Sequence, residues 1–180
     1  MKLVILDRDG VINYDSDAYI KSPEEWKPIP GSLEAIARLT QSGFHVVVAT
    51  NQSGVGRGLF EMATLNAIHD RMHRAVGQAG GRIDAVFYCP HAAEAGCGCR
   101  KPKPGLIEEI GRRFNVALAS VPCIGDSRRD LEAAAAAGAQ PVLVLTGKGE
   151  ATRRAGALPP GTQVFRDLAE AAAAIVKNRE

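Results

Sequence analysis

The sequence predicts a three-layer α/β fold in which one parallel sheet lies between two layers of helices. Short apolar runs rich in β-branched residues alternate with longer amphipathic stretches, as in parallel strands joined by helical crossovers. Polar residues or glycines follow each run, so functional loops are expected at the carboxyl ends of the strands. The chain has 180 residues, 46% hydrophobic and 23% charged. That suffices for a single domain over residues 1–180 with a sizeable core.

Five buried strands are predicted from brief apolar runs bounded by polar, glycine or proline signals. They cover residues 2–6, 44–49, 85–88, 121–124 and 141–145. Helices are predicted between them, starting near residues 32, 61, 104, 127 and 167. The first ends by Gly43, and Gly138 is a natural left-handed terminator of the fourth.

Composition and charge exclude several classes of protein. The formal net charge is +2 and the charges are dispersed, without the basic stripe of a nucleic-acid binder. No apolar segment approaches the roughly 20 residues that a membrane-spanning helix needs, and the apolar N-terminal run is too short for a signal peptide. We expect a cytoplasmic protein with no nucleic-acid or membrane partner, and the composition permits a monomer. In that reducing compartment, cysteines are expected as thiols or metal ligands.

Two aspartates directly follow the first predicted strand. Asp7 and Asp9 are separated by one residue, and Gly10 suits a backbone bend close to a ligand. One carboxylate, ionised beside a divalent cation, can attack phosphorus. The other can protonate the leaving oxygen and later activate water. An ordinary polar turn fits these residues equally well, so the interpretation depends on the other strand ends.

Three further strand ends carry groups suited to phosphate chemistry. Thr50 follows the second strand and offers a hydroxyl beside successive backbone N–H groups, although a capped turn would also use it. Lys101 precedes a helix and can offset phosphate charge. Asp126 supplies a hard oxygen ligand of the kind Mg²⁺ prefers. Asp130, one helical turn later, could hold a metal-bound water or cap the helix.

In this order, these residues resemble the four motifs of the haloacid dehalogenase (HAD) superfamily of phosphatases, and the resemblance covers essentially the whole chain. It implies a Rossmann-like HAD fold, with Asp7 as nucleophile and Asp9 as general acid and base. Thr50 and Lys101 would stabilise the phosphoryl group. Mg²⁺ would be held by Asp7, the backbone carbonyl of Asp9, and Asp126. The short intervals between motifs leave no room for a large cap domain.

A cysteine-histidine pattern predicts a second metal. Cys89, His91, Cys97 and Cys99 form C-x-H…C-x-C in a loop of about residues 89–99, hereafter the zinc loop. Three sulfurs and one imidazole match a closed, four-coordinate structural Zn²⁺ site. Scattered free thiols are the alternative, but three of the chain's four cysteines lie here. The fourth, Cys123, falls in a predicted strand and is expected in the core.

Within the superfamily, the chain most resembles bacterial D-glycero-D-manno-heptose 1,7-bisphosphate phosphatases, through residues 7–13, 50–54, 88–91 and 97–102. This implies release of the C7 phosphate from a small sugar bisphosphate, in nucleotide-activated heptose synthesis for lipopolysaccharide. Relatives can carry lysine after the fourth-motif aspartate. This chain has Ser127 there, so a substrate contact on that side would be lost or shift to Arg128. The expected substrate-binding residues are Asp15, Tyr19, Asn51, Gln52, Ser53 and Arg100.

Other functions stay open at this point. Histidinol-phosphate phosphatases share the zinc-bearing loop and the chemistry. A receiver-type phospho-acceptor module also uses an acidic cluster with threonine and lysine, although Asp9 and the zinc loop argue against it. A nucleic-acid 3′-phosphatase or a zinc-based binder lacks support because no basic groove or aromatic platform is evident. The sequence does not distinguish the α from the β anomer of the heptose.

Overall fold

The computed structural model describes residues 1–178, which contain one six-stranded sheet. Every strand pair is parallel. The strands are β1 (Lys2–Leu6), β2 (Phe44–Asn51), β3 (Ala85–Cys89), β4 (Pro122–Gly125), β5 (Gln140–Val144) and β6 (Gln163–Phe165). Their order across the sheet is β3-β2-β1-β4-β5-β6.

Helices cover both faces of this sheet. They are α1 (Ser32–Gln41), α2 (Ser53–Gly56), α3 (Met62–Gln78), α4 (Gly105–Phe114), α5 (Arg128–Ala136), α6 (Gly149–Ala155) and α7 (Leu168–Lys177). Short 3-10 turns occupy Pro23–Glu25, Ala93–Ala95 and Leu118–Ser120. None of the helices in residues 1–178 combines the length and apolar character that crossing a bilayer requires.

Two hydrophobic cores lie on opposite faces of the sheet because strand side chains alternate in direction. In β1, Val4 and Leu6 join the core beneath α1, α3 and α7. Leu3 and Ile5 join the core beneath α4 and α5. Burial on both faces explains why the strands read as continuous apolar runs.

The strand order brings the predicted motifs together. β1 lies between β2 and β4, with Leu6 in register with Val48 on one side and Ile124 on the other. The strand order therefore reverses beside β1, and such a reversal opens a crevice at the carboxyl edge of the sheet. Residues just beyond these three strands must meet there.

The predicted α/β class is confirmed: one parallel sheet lies between helices, and the described residues contain no large cap. All five predicted strands and all five predicted helices are present, with ends that agree within two residues. Sequence reasoning missed three short elements: α2, α6 and β6. Gly138 has a φ of 74°, in the left-handed conformation expected of a residue that ends a helix.

Candidate active site

A cavity of about 220 Å³ opens at the carboxyl edge of the sheet. Nearly all residues predicted for magnesium, catalysis or substrate meet there, although they come from five separate segments of the chain. Thr50 differs because it is buried below the cavity and does not line it. The predicted residues that line the cavity are Asp7, Asp9, Asp15, Tyr19, Asn51, Gln52, Ser53, Arg100, Lys101 and Asp126.

Three carboxylates form the centre of the cavity. One oxygen from each of Asp7, Asp126 and Asp130 lies within 4.8 Å of the others. Burial, followed by the charge of Asp130, raises the pKa of Asp7, and the same two causes raise the pKa of Asp126 to about 7. Crowded, hard oxygen ligands of this kind fit Mg²⁺, whose charge would relieve their repulsion.

Lys101 compensates part of this negative charge. Its Nζ lies 3.1 Å from Asp7 Oδ1 and 2.7 Å from Asp130 Oδ1, and donates to the carbonyl of Ala49 at 2.8 Å. Burial alone lowers the pKa of Lys101, but the carboxylates of Asp130 and Asp7 outweigh it and hold that pKa above its ordinary value. Asn51 fixes the backbone here, accepting from Lys101 N–H at 3.0 Å and donating to Lys101 O at 3.1 Å.

Asp130 has two structural contacts. Its Oδ2 accepts from the backbone N–H and the hydroxyl of Ser127 at 3.0 and 2.8 Å, which makes a capping box at the start of α5. Its Oδ1 pairs with Lys101. Burial raises the pKa of Asp130, but Lys101 outweighs burial and lowers it. The capping alternative is therefore present, and the ion pair with Lys101 was not foreseen.

Arg128 is directed away from the cavity. Its Nε donates to Glu132 at 2.8 Å and its Nη2 to the carbonyl of Ala157 at 3.0 Å. Of the two expectations for this side, a substrate contact that is lost or one that shifts to Arg128, the structure gives no support to the second, because α5 turns this side chain toward the 156–157 loop. The next residue, Arg129, lines the cavity instead.

The side chain of Asp9 lies apart from the three-carboxylate group. Its Oδ1 accepts from Arg8 Nε at 3.0 Å and Asn13 Nδ2 at 2.9 Å, and its Oδ2 from Gln52 Nε2 at 3.0 Å. Gln52 also donates to Thr50 Oγ1 at 2.9 Å. Burial raises the pKa of Asp9, but Arg8 and the hydrogen bonds outweigh it and lower that pKa. Gln52 thus links two residues that were predicted to act separately.

Arg8, which sequence reasoning passed over, is fully buried beneath Asp9. Its Nη2 lies 2.9 Å from Asp9 Oδ1, and its Nη1 lies 3.1 Å from His69 Nε2. Burial and the charge of Arg8 lower the pKa of His69 to about 3. His69 is therefore neutral near pH 7, and its Nε2 accepts from Arg8.

The loop after β5 contributes a further set of contacts that sequence reasoning missed. Thr146 Oγ1 donates to the carbonyl of Gly10 at 2.7 Å, and the backbone N–H of Lys148 donates to Asp126 Oδ2 at 2.8 Å. The signal was available, because Thr146-Gly147-Lys148 follows the fifth predicted strand as the other motifs follow theirs. This loop orients Asp126 from the side opposite β1.

Residues 14–28, hereafter the flap, cover one side of the cavity. Trp26 anchors the flap in the core with 1% of its surface exposed. Lys148 Nζ lies 3.4 Å from Asp15 Oδ2 and 3.8 Å from Asp17 Oδ1. Tyr19 lines the cavity with a φ of 66°, in the left-handed region that only a few per cent of non-glycine residues adopt.

Two glycines make room for Asp126. A Cβ at Gly10, whose φ is 82°, would lie 2.0 Å from Asp126 Oδ2. A Cβ at Gly147, whose φ is 56°, would lie 2.2 Å from the same oxygen. Both the backbone conformation and the close approach require glycine here.

The cysteine-histidine group is assembled as a metal site. Cys89 Sγ lies 3.6 Å from Cys97 Sγ, 3.1 Å from Cys99 Sγ and 3.5 Å from His91 Nδ1. Zinc–sulfur bonds of about 2.3 Å in a tetrahedron separate ligand sulfurs by roughly 3.7 Å, so these atoms fit one zinc ion with little adjustment. No disulfide joins any of the four cysteines, and Cys123 is buried in the core as expected.

The zinc loop is hydrogen-bonded to both neighbouring motifs. The carbonyls of Cys89 and Pro90 accept from Gln52 N–H at 2.8 Å and Gly56 N–H at 2.9 Å. The carbonyl of Gly98 accepts from Gly105 N–H at 3.2 Å. One small metal-bound segment can therefore position the loop after β2 and the start of α4 at once.

Known proteins resemble this chain in sequence and in fold. A family model described as polynucleotide kinase 3 phosphatase matches residues 2–128, and a HAD-hydrolase-like model matches residues 98–171. D-glycero-β-D-manno-heptose-1,7-bisphosphate 7-phosphatase of Bordetella bronchiseptica is 63% identical over 172 residues, 96% of each chain. The chain belongs to this heptose bisphosphate phosphatase family.

Further members of the heptose bisphosphate phosphatase family agree closely. The protein of Pseudomonas aeruginosa is 54% identical over 97% of this chain and 98% of its own. A crystal structure of the B. bronchiseptica enzyme, complexed with magnesium and phosphate, superposes with a TM-score of 0.98 at 61% identity over 99% of both chains. That of Burkholderia thailandensis has a TM-score of 0.79 at 53% identity, over 98% of this chain and 99% of its own. The predicted superfamily and enzyme class are thereby confirmed.

Proposed function

We propose that this protein hydrolyses the C7 phosphate of D-glycero-β-D-manno-heptose 1,7-bisphosphate in lipopolysaccharide precursor synthesis, through a phosphoryl group carried on Asp7. One observation carries the proposal: Asp7, Asp126, Asp130 and Lys101 converge in one cavity. Relatives at 54–63% identity that bear the name of this activity support the choice of substrate.

Asp7 is oriented as the nucleophile by contacts on one oxygen. Asp7 Oδ1 accepts from the backbone N–H of Arg8 at 2.8 Å and lies 3.1 Å from Lys101 Nζ. Attack on phosphorus then falls to Oδ2. Magnesium held by Asp7, Asp126 and the backbone carbonyl of Asp9 would offset the repulsion between Asp7 and the phosphate. Lys101 adds a fixed positive charge at the same place.

Asp9 moves the protons. It gives a proton to the C7 oxygen as the phosphorus–oxygen bond breaks, and later takes one from the water that attacks phosphoryl-Asp7. The products are heptose 1-phosphate and inorganic phosphate. Arg8, Asn13 and Gln52 keep the Asp9 carboxylate ionised in the free enzyme, as the second step requires. A bound phosphate adds negative charge beside Asp9 and raises its proton affinity, as the first step requires.

The remaining cavity residues would select the sugar. Arg100 suits the distal phosphate because its planar fork binds phosphate in a bidentate manner. Asp15, Tyr19, Gln52 and Ser53 line the cavity where hydroxyl groups need partners.

We further propose that the enzyme works as a monomer, because one chain supplies every residue assigned to catalysis and to the two metals. Three cysteines grouped as metal ligands and a fourth in the core, with no disulfide among them, suit the reducing cytoplasm that we propose as its compartment.

The test is phosphate release from a substrate panel with and without Mg²⁺. The panel contains both heptose bisphosphate anomers, histidinol phosphate, a sugar monophosphate and a 3′-phosphorylated oligonucleotide. We expect the highest kcat/KM on the β-heptose bisphosphate and no turnover without Mg²⁺. In Asp7→Asn, kcat should fall by more than about 10⁴-fold, as when other enzymes lose a nucleophile.

The loss of kcat is informative only if Asp7→Asn folds as the natural chain does. The circular dichroism spectra and the zinc content of the two proteins are therefore compared. Efficient hydrolysis of histidinol phosphate or of the oligonucleotide, with little of the heptose bisphosphate, would replace the proposed substrate. One phosphoryl group bound per chain without repeated turnover would indicate a phospho-acceptor module.

A further inference from the structure

The cavity contains more positive charge than the reacting phosphate needs. Five cationic side chains line it: Arg57, Arg100, Lys101, Arg129 and Lys148. Three of them have carboxylate partners, namely Lys101 with Asp7 at 3.1 Å, Lys148 with Asp15 at 3.4 Å and Arg57 with Glu94 at 3.7 Å. Among residues 1–178, Arg100 and Arg129 have no carboxylate partner.

Arg129 extends from a fixed base. It lies in the first turn of α5, between the two halves of the capping box formed by Ser127 and Asp130. Asp130 is also paired with buried Lys101. The backbone at Arg129 is therefore held from both sides, while its side chain is exposed at the cavity. Its neighbour Arg128, by contrast, is engaged by Glu132 on the outer face of the helix.

We propose that Arg129 is a substrate-recognition residue that binds the non-reacting phosphate of the sugar bisphosphate together with Arg100. The inference rests on the proposed function and adds to it. A phosphate monoester carries a charge of about −1.5 to −2 near neutral pH. One guanidinium cannot balance that charge, and two guanidinium forks can.

Arg100 reaches the cavity from the end of the zinc loop, whereas Arg129 reaches it from α5. It directly follows the zinc ligand Cys99, and its guanidinium has only a long contact of 3.5 Å to the carbonyl of His91. Its hydrogen-bond donors are thus largely available to a ligand. An anion between Arg100 and Arg129 would be held by two elements that pack on the same face of the sheet.

The flap side of the cavity is unsuitable for the second phosphate. Asp15 and Asp17 make that wall acidic, and the ammonium group of Lys148 is already placed between them at 3.4 and 3.8 Å. An incoming phosphate would have to displace two carboxylates from Lys148. Charge therefore directs the second phosphate toward Arg129.

The experiment compares Arg129→Ala, Arg129→Lys and the matched control Arg128→Ala on two substrates. These are the heptose bisphosphate and p-nitrophenyl phosphate, which lacks a second phosphate. For Arg129→Ala we expect KM for the bisphosphate to rise about 10–100-fold, the usual effect of losing a charged hydrogen bond. Its kcat should change less than about threefold, and kcat/KM for p-nitrophenyl phosphate less than about twofold. For Arg129→Lys, KM for the bisphosphate should lie between the values for the natural chain and Arg129→Ala. Arg128→Ala should match the natural chain on both substrates.

The double variant Arg100→Ala/Arg129→Ala shows whether the two residues share one phosphate. If they do, the free energy of substrate binding lost in the double variant is smaller than the sum of the losses in the two single variants. Three results would overturn the inference and leave the proposed function standing. They are strictly additive losses of binding free energy in the double variant, equal losses of kcat/KM on both substrates in Arg129→Ala, and an unchanged KM in Arg129→Ala. Absence of any preference for the bisphosphate in the natural chain would overturn the proposed function first, and this inference with it.

Discussion

At the scale of single residues, Asp126 depends on neighbours that have no side chains. Gly10 and Gly147 approach its carboxylate from two directions, and the N–H of Lys148 donates to the same oxygen. A carboxylate confined in this way can make room for a methyl group only by leaving its position in the metal site. Its position is set by the absence of atoms around it as much as by hydrogen bonds.

Gly10→Ala should therefore disable the metal site. A Cβ 2.0 Å from Asp126 Oδ2 must push the carboxylate away, so we expect Mg²⁺ affinity and kcat/KM to fall at least 100-fold. The matched control is Gly43→Ala, which has the same φ of 82° but nothing within 4 Å of the added Cβ. The control should lose about 1–2 kcal/mol of stability from left-handed strain and keep full activity. Activity in Gly10→Ala equal to that in Gly43→Ala would show that the close approach to Asp126 does not matter.

His69 should make the fold acid-sensitive. Its pKa of about 3 lies below the ordinary value of 6.5, through burial and through the charges of Arg8 and His73, with Asp9 opposing them. Between these values the unfolded chain binds more protons than the folded one, so stability falls as the pH drops, by about 1.4 kcal/mol per unit.

In His69→Gln, which can still accept from Arg8, this slope should be shallower between pH 6.5 and 4. Urea midpoints at several pH values measure it, and parallel curves for both proteins would contradict the assignment.

The residues that sequence reasoning missed are those whose environment decides their role. Arg8 reads as a surface residue because a charged side chain is rarely buried, and only the fold places Asp9 and His69 around it. Likewise, the choice between Arg128 and Arg129 depends on the rotation of one helix. Asp7, Asp9, Lys101 and Asp126 could be found because residue type and strand ends determine their place.

At the scale of elements, the zinc loop controls two other segments through backbone hydrogen bonds. Cys99→Ser should lower bound zinc and reduce kcat/KM at least tenfold, because the segments that position Gln52 and Lys101 lose their support. Hydrogen exchange should rise in residues 51–56 and 89–105 and stay unchanged in α3. Cys123→Ala, which alters a cysteine outside the site, is the control and should retain its zinc. Full activity with no bound zinc would contradict this role.

The missed elements are those whose sequences lack periodic apolar residues. α2 has four residues and β6 has three. α6 has three charged residues, Glu150, Arg153 and Arg154, and no stripe of apolar side chains along one face. The longer elements were predictable because their buried faces impose a regular pattern. Short elements are instead fixed by the surfaces on which they pack.

At the scale of the whole molecule, the charge is unevenly spread. The chain carries a net charge of only +2, yet one cavity is lined by six carboxylates as well as the five cationic side chains described above. The carboxylates are Asp7, Asp9, Asp15, Asp17, Asp126 and Asp130. Without metal, this crowding works against the folded state, so binding and stability are linked.

Asp126→Asn should stabilise the metal-free protein. The pKa of Asp126 is raised to about 7, so its ionised form opposes folding above the ordinary carboxyl pKa, increasingly up to pH 7. At pH 7.5 we expect a higher Tm for the variant, by roughly 2–4 °C per kcal/mol recovered. Mg²⁺ should raise the Tm of the natural chain but not that of the variant. Asp17→Asn, an exposed substitution, should leave both values unchanged, and a lower Tm in Asp126→Asn would refute the explanation.

The two lysine pairs at the cavity will respond differently to ionic strength. Lys101 and Asp130 are shielded from solvent, so dissolved ions screen their attraction little. The side chain of Lys148 is half exposed where it meets Asp15, and counterions compete there readily. Concentrated salt should therefore weaken the contact between Lys148 and the flap before it weakens the contacts of Lys101 with Asp7 and Asp130. High ionic strength should therefore lower kcat/KM, which includes substrate binding, more than it lowers kcat.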